Sequence, residues 1–235
     1  MKVITNTPLA AKRRRQAIFL SVLGTAILVA GLVLNFQGRF GLAYASLLSG
    51  TLLSWAGVTM TDRWVAMPRP ESVIGKGLAA QNARAYALYH WALPADHVFV
   101  SPWGLTVFFV HNHDGPAEVE GARWRDGRPL WRRIFRFARR PVRHPGVLLE
   151  LDLKALREKL VAADPSLAEI PIEAVALFSN PKVKLHREDP DMEVLLPAEL
   201  EAWARRSLKE KPRIAPADRL KLETVLDGLT EGLED

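Results

Sequence analysis

The sequence predicts an α/β protein in two parts: a two-helix transmembrane hairpin, then a domain built on a mixed sheet flanked by helices. Three observations predict it. A run of 23 residues without charge separates Arg15 from Arg39, and 22 more separate Arg39 from Asp62. Beyond Pro68 and Pro70 the chain changes to short runs of β-forming residues bounded by Gly and Pro turns. Around those runs, apolar residues recur at helical spacing.

The two apolar runs come first. A helix needs about 20 apolar residues to cross a bilayer, and each run supplies them. The spans are expected at about 16–36 and 41–61. A signal peptide has a shorter apolar region, about 7–15 residues, and a small-residue cleavage site. Here a second run follows after Asn35-Phe36-Gln37-Gly38-Arg39-Phe40, so the two spans are antiparallel neighbours. Ser46, Gly50 and Ser54 lie four residues apart, and small residues let helix backbones approach closely. Ser21, Thr25, Ala26 and Ala30 are the facing candidates on the first span. Trp55 and Trp64 suit the membrane–water boundary.

Charge is divided unevenly. Residues 1–64 hold Lys2, Lys12, Arg13, Arg14, Arg15, Arg39 and Arg63 against Asp62, which accounts for the whole net charge of +6. Residues 65–235 are balanced, so the basic character gives no argument for nucleic-acid binding by the second part. Basic residues flank the outer ends of the hairpin, and the loop holds Arg39 alone. The positive-inside rule then places both termini and the domain in the cytoplasm. The chain has no cysteine, which excludes disulfides and thiolate chemistry.

Residues 1–64 are thus expected to form the anchor, 65–74 a linker and helix start, and 75–235 the domain. Ile74, Leu78, Ala85, Leu88 and Tyr89 predict a helix from Glu71 to about Trp91. Strands are expected at 96–101, 105–112 and 117–121, as an antiparallel meander with a buried middle strand. Leu148, Leu149, Leu153, Leu156 and Leu160 predict an amphipathic helix over 146–162, with Leu148 and its neighbours facing the core. A buried strand follows at 172–179, short strands at 183–185 and 192–195, and helices at 197–208 and 216–229. Each of those last helices has Pro near its first turn, where the missing N–H costs little. Trp103 and Trp124 read as packing residues.

The stretch Leu93-Pro94-Ala95-Asp96-His97-Val98-Phe99-Val100-Ser101-Pro102-Trp103-Gly104-Leu105 resembles the core motif of the NERD (nuclease-related) domain. The resemblance continues through Gly115 and Gly121-Ala122-Arg123-Trp124 to Val175-Ala176-Leu177-Phe178-Ser179-Asn180, covering about 75–226. It implies a fold like that of the PD-(D/E)xK nucleases, a mixed sheet with helices on both sides. In those enzymes an Asp, then a Glu-x-Lys on the next strand, hold a divalent metal and position the attacking water. Hard carboxylate ligands and a cation near the phosphate are what that chemistry needs. Asp96 matches the Asp. The Glu position falls on Phe109 and the Lys position on His111, and no glutamate stands near Gly77 and Leu78. The resemblance therefore implies a degenerate site, with Asp96 and His111 as the residual catalytic candidates.

Two constellations could still carry chemistry. His90, His97, His111 and His113 fall close together in sequence. A three-residue turn at 102–104 sets Asp96 roughly opposite Val110 or His111; if the register pairs it with His111, then Asp96, His111 and His113 form a candidate transition-metal site, since imidazole suits such ions. The competing and favoured reading is a structural Asp–His hydrogen bond. Residues 123–143 hold nine arginines against Asp126 alone. There Trp131 and Phe135 share a helical face, and Arg132, Arg133, Arg136, Arg139 and Arg140 fall mostly elsewhere. This pattern fits an interfacial helix on anionic lipid or a partner surface. It also fits a plain surface helix paired with Glu188, Asp189, Asp191 and Glu193, and, with less weight, a nucleic-acid contact.

The expectation that follows is a bacterial-type inner-membrane pseudoenzyme with a cytoplasmic NERD-like domain. It would act as a binding or scaffolding module, an accessory subunit of a membrane assembly. Its partners would be the bilayer, membrane proteins or anionic lipid, and no cofactor is expected. The alternative is a metal-dependent nuclease or other hydrolase with a rearranged site around Asp96, which would use a divalent metal.

Overall fold

The computed structural model describes residues 1–81, 85–129 and 142–231. The chain is α/β, with two long apolar N-terminal helices followed by a mixed sheet. It forms two compact units: Leu9–Met67 in one, and Met1–Pro8, Pro68–Gly127 and Val142 onward in the other.

The first unit is a helical hairpin. Helices α1 (Thr7–Phe36) and α2 (Phe40–Trp64) are each long and apolar enough to cross a membrane. Their contact seam is made of small residues at seven-residue spacing: Ala10, Ala17, Gly24 and Gly31 on α1, and Ala43, Gly50 and Gly57 on α2. Ser54 packs on Gly24, Ser21 on Gly57 and Ser46 on Gly31. The expected Ser46, Gly50 and Ser54 do lie on this seam. On α1 the facing residues are Gly24 and Gly31 with Ser21, rather than Ala26 and Ala30. The large apolar side chains, such as Phe19, Val22, Leu48 and Leu52, point outward. That inversion of a soluble core is what a lipid environment favours, because backbones gain contact through small residues.

The second unit is a three-layer α/β/α arrangement. Helix α3 (Pro70–Gly77) leads to the meander β2 (Ala87–His90), β3 (His97–Ser101) and β4 (Gly104–His111). Then β5 (Pro116–Glu120) and β6 (Arg123–Asp126) form a hairpin, followed by α4 (Gly146–Ala163) and β7 (Ile172–Phe178). The chain ends with β8 (Lys184–Glu188), β9 (Glu193–Leu195), α5 (Leu200–Glu210) and α6 (Pro216–Thr230). Strand β7 runs parallel to both β4 and β9. Helices α4 and α6 cover one face through Leu156, Leu160, Leu222 and Leu226. Helices α3 and α5 cover the other through Ile74, Leu200 and Trp203. A second sheet, β6-β5-β8, packs Val119 and Trp124 beside Phe178.

Four expectations need correction. The predicted helix to Trp91 stops at Gly77, and Ala87–His90 is a strand. Both faces of that strand are buried, which erases the alternation that separates strands from helices in sequence. The meander therefore starts one strand earlier, β3 is its middle strand, and residues 116–120 belong to the second sheet. Leu148 is 66% exposed, and Leu149 takes the core position.

The fourth correction concerns the anchor boundary. Residues Lys2–Thr5 form strand β1, which pairs parallel with β2 at the edge of the main sheet. Lys2 N–H donates to Tyr86 O at 3.0 Å, and Asn6 N–H donates to His90 O at 3.0 Å. Ile4 is buried among Tyr89 and the α6 leucines. The segments on either side of the hairpin thus share one sheet. Lys2 also pairs with Asp227 at 2.6 Å, an exposed contact worth about 0–1 kcal/mol.

Candidate functional site

The motif residues gather at one edge of the main sheet, where the parallel strands β1, β2, β4, β7 and β9 end. Ligands of open α/β sheets bind outside the carboxyl ends of the strands, which makes this edge the site to test.

Asp96 lies just before β3 and is half-buried, and its carbonyl accepts the Trp91 N–H at 2.7 Å. Between them the loop leaves β2 with Trp91 at a φ of 60°, a left-handed conformation that a bulky residue adopts only when its surroundings hold it. The Trp91 ring meets His97 edge-on at 4.5 Å.

Register decides what faces Asp96. Ser101 pairs with Gly104, so the turn holds only Pro102 and Trp103. Gly104 has a φ of 128°, and a Cβ there would collide with the Pro171 carbonyl. Val98 pairs with Val107. Continued one residue past the start of β3, this register would carry Phe109, two residues short of His111, to the position opposite Asp96. The expected Asp96–His111 pairing does not form: a three-residue turn would have moved the register by one residue, to Val110, so the register carries His111 beyond the position opposite Asp96 either way.

His111 ends β4 inside an aromatic group. Its ring stacks on Phe178 at 5.1 Å and lies 5.0 Å from Phe109 and 5.4 Å from Trp124. Beyond it the chain turns toward the second sheet. His113 is buried there, and its Nε2–H donates to Pro116 O at 3.1 Å, with Asp126 Oδ1 at 3.8 Å. Asp96, His111 and His113 are therefore not brought together. Among the described residues no group of three His, Cys, Asp or Glu side chains is placed to hold a metal.

Two histidine arrangements at this edge were not singled out from sequence. His90 and His97 pair across β2 and β3, with their Nδ1 atoms 2.8 Å apart and both rings buried. A hydrogen bond between two imidazole nitrogens needs one donor and one acceptor, so the two rings cannot both be protonated. Burial pushes the His90 pKa down to about 4. The second arrangement is His144, just before α4. Its Nδ1 accepts the Gly146 N–H at 3.0 Å, which leaves Nε2–H to donate to Asp191 at 3.0 Å. The His144 ring stands perpendicular to Trp124, 5.4 Å away. An Asp–His pair with a fixed tautomer is a common orienting unit. Its only sequence signal is one histidine directly after the basic tract.

Elsewhere the polar residues are structural. Glu173 Oε1 accepts from Trp103 Nε1 at 3.0 Å and from Thr106 Oγ1 at 2.8 Å, and Oε2 pairs with Lys211. The Lys211 ammonium lies over Trp103 and Trp203, at 5.9 and 5.6 Å. This clamp sits at the opposite edge of the sheet. Trp103 and Trp124 are both buried, as packing residues. Glu193 pairs with Arg206 at 2.7 Å. The basic-tract candidates Trp131, Arg132, Arg133, Phe135, Arg136, Arg139 and Arg140 lie outside the described residues.

Comparison with protein-family models, with curated proteins and with solved structures finds no match. The case for function therefore rests on the residues themselves.

Proposed function

We propose that this chain is a membrane-anchored, NERD-like binding or scaffolding module that has lost the nuclease centre. The observation that carries this is the pairing of positions at the sheet edge. Continued two residues beyond the Val98–Val107 pair, the register carries Phe109 to the position across from Asp96, where a metal-dependent nuclease needs a second carboxylate. His111, at the position of the lysine, is packed among three aromatic rings. One carboxylate beside a phenyl ring is a poor site for a hard cation, which binds through several oxygens. The αβββ…αβ element order and the helices on both sheet faces agree with the PD-(D/E)xK-type fold that the resemblance implies.

In this reading α1 and α2 cross the cell's inner membrane as a hairpin. Two spans return the chain to the side it left, which is what strand β1 requires, since it pairs with a strand that follows the hairpin. Basic residues at the outer ends of the hairpin make that side the cytoplasm.

The test is a pair of experiments on the full chain in mild detergent. Truncation at residue 65 is unsuitable, because it removes β1. The module reading expects no divalent-metal-dependent cleavage of single- or double-stranded DNA or RNA, and a membrane protein that co-purifies. Cleavage that Asp96→Ala abolishes would replace the reading with the hydrolase one.

A further inference from the structure

We propose that Lys12 and Arg15, on the outer face of α1, form a seat for the phosphate of an anionic phospholipid whose acyl chains lie along Phe19 and Val22. The inference rests on the anchor reading above and names the lipid that the hairpin holds. All of its residues belong to the helical hairpin.

The register of the hairpin sets the depth of its charges. Ser54 packs on Gly24 and Ser21 on Gly57, and Ser21 Oγ lies 3.5 Å from Thr61 Oγ1. The same register reaches the base of the hairpin, where Arg14 Nε–H donates to the Trp64 carbonyl at 2.9 Å. Gln16 is then level with Asp62, and Arg15 with Arg63. The uncharged stretch therefore begins at one depth on both helices, after Arg15 on α1 and before Asp62 on α2. From Gln16 to Phe36, α1 rises about 30 Å, the thickness of a hydrocarbon core. Trp64 lies at the level of Arg14, and tryptophan favours the headgroup layer. Residues 12–15 thus lie at headgroup depth.

Within that layer the cations point in different directions. The seam of α1 is Ala10, Ala17, Gly24 and Gly31. Arg14 is held at the partner helix by the Trp64 carbonyl, and Arg13 Nη1 donates to Gln16 at 3.3 Å. Lys12 and Arg15 are exposed, on the side of α1 away from the seam. They are three residues apart, which makes them neighbours on a helix surface. The same column continues through Phe19, Val22, Ala26, Val29 and Val33, all exposed. Two cations therefore cap a stripe of outward apolar side chains. A phospholipid has the same order of parts: phosphate above, acyl chains below.

Charge selects the headgroup. Asp62 is the one acidic residue in 1–64, and it stands on the other helix. The planar fork of Arg15 can give two N–H groups to a phosphate, and Lys12 adds a second positive charge beside it. A zwitterionic lipid carries its own ammonium, which Lys12 repels and which competes for the phosphate. An anionic headgroup without an ammonium leaves the phosphate to the two side chains.

The test uses the full chain in mild detergent, titrated with phosphatidylglycerol or phosphatidylcholine and read by native mass spectrometry. Phosphatidylglycerol should be retained over phosphatidylcholine by about fivefold or more. Lys12→Gln combined with Arg15→Gln should remove most of that preference, with the helical circular dichroism unchanged because both positions are exposed. Arg39→Gln, in the loop at the other end of the hairpin, should leave it as it was. Equal retention of the two lipids, a preference that survives the double substitution, or one that is lost with Arg39 would overturn the proposal. The chain has no cysteine, so a fluorophore on Val29→Cys tests the anchor separately. In phosphatidylcholine–phosphatidylglycerol vesicles it should be quenched by nitroxides placed deep in the bilayer. If 29 is quenched and the lipid preference is absent, the seat is wrong and the anchor stands. If 29 is not quenched, the anchor fails and the seat fails with it.

Discussion

A Cβ placed on Gly24 would lie 2.9 Å from the Cα of Ser54, and closer still to its backbone nitrogen. The relationship is reciprocal: a Cβ on Gly57 would lie 2.7 Å from the Cα of Ser21. Each helix of the hairpin carries Ser-x-x-Gly, and the serine of one rests on the glycine of the other. No side chain fits between the backbones at either point. Gly24→Leu should therefore lower the thermal midpoint of the chain in detergent, by an overpacking cost of roughly 1–3 kcal/mol. Gly41→Leu, at a position with open space, should not. Equal behaviour of the two variants would show that the helices do not pack this way.

Strand β1 makes a residue before the hairpin part of the core after it. Ile4→Ala should destabilise the α/β unit by about 2–4 kcal/mol, as for other buried large-to-small changes. Val3→Ala, at 51% exposure, should change stability by less than about 0.5 kcal/mol. Urea unfolding followed by the buried tryptophans of the unit measures both. A silent Ile4→Ala would detach β1 from the sheet.

The buried His90–His97 pair makes stability depend on pH. Above about pH 6.5 both the folded and unfolded forms hold His90 neutral. As the pH falls, the unfolded chain takes up a proton that the folded one resists until about pH 4. Stability should therefore decline between about pH 6.5 and 4, by up to about 3 kcal/mol from this group at about 1.4 kcal/mol per pK unit. His90→Phe should flatten the decline over that window. An unchanged slope in the variant would assign it to other groups.

The Glu173 clamp predicts an ordering. Glu173→Ala leaves Trp103 Nε1 and Thr106 Oγ1 without their acceptor and should cost about 1.5–3 kcal/mol. Lys211→Met keeps its stem over the two tryptophans and removes only a half-exposed ion pair, for about 1 kcal/mol or less. Chemical denaturation of the two variants gives the order, and the reverse order would contradict the assignment of Glu173 as the hub.

The parts legible in sequence were those set by long local patterns. The two helices follow from uncharged length, and α4, β4 and β7 from their periodicity and flanking turns. What stayed hidden depends on long-range partners. Lys2–Thr5 is four residues long and half polar, and becomes a strand only because β2 supplies an edge. Ala87–His90 looks helical because helices on both sheet faces bury every one of its side chains. Leu148 and Leu149 are neighbours in an apolar run, and spacing alone gave the core position to the wrong one. The same holds at the site. Asp96, Phe109 and His111 were visible as candidates, but their register hung on one residue of turn length between Ser101 and Gly104. His144 was concealed because its partner, Asp191, is 47 residues away.

The most direct test of the account is manganese binding by the full chain in detergent, read by the electron paramagnetic resonance of free Mn²⁺. A site with Phe109 facing Asp96 should leave the free-ion signal undiminished, and Asp96→Ala should change nothing. A stoichiometric loss of that signal, restored by Asp96→Ala, would contradict it.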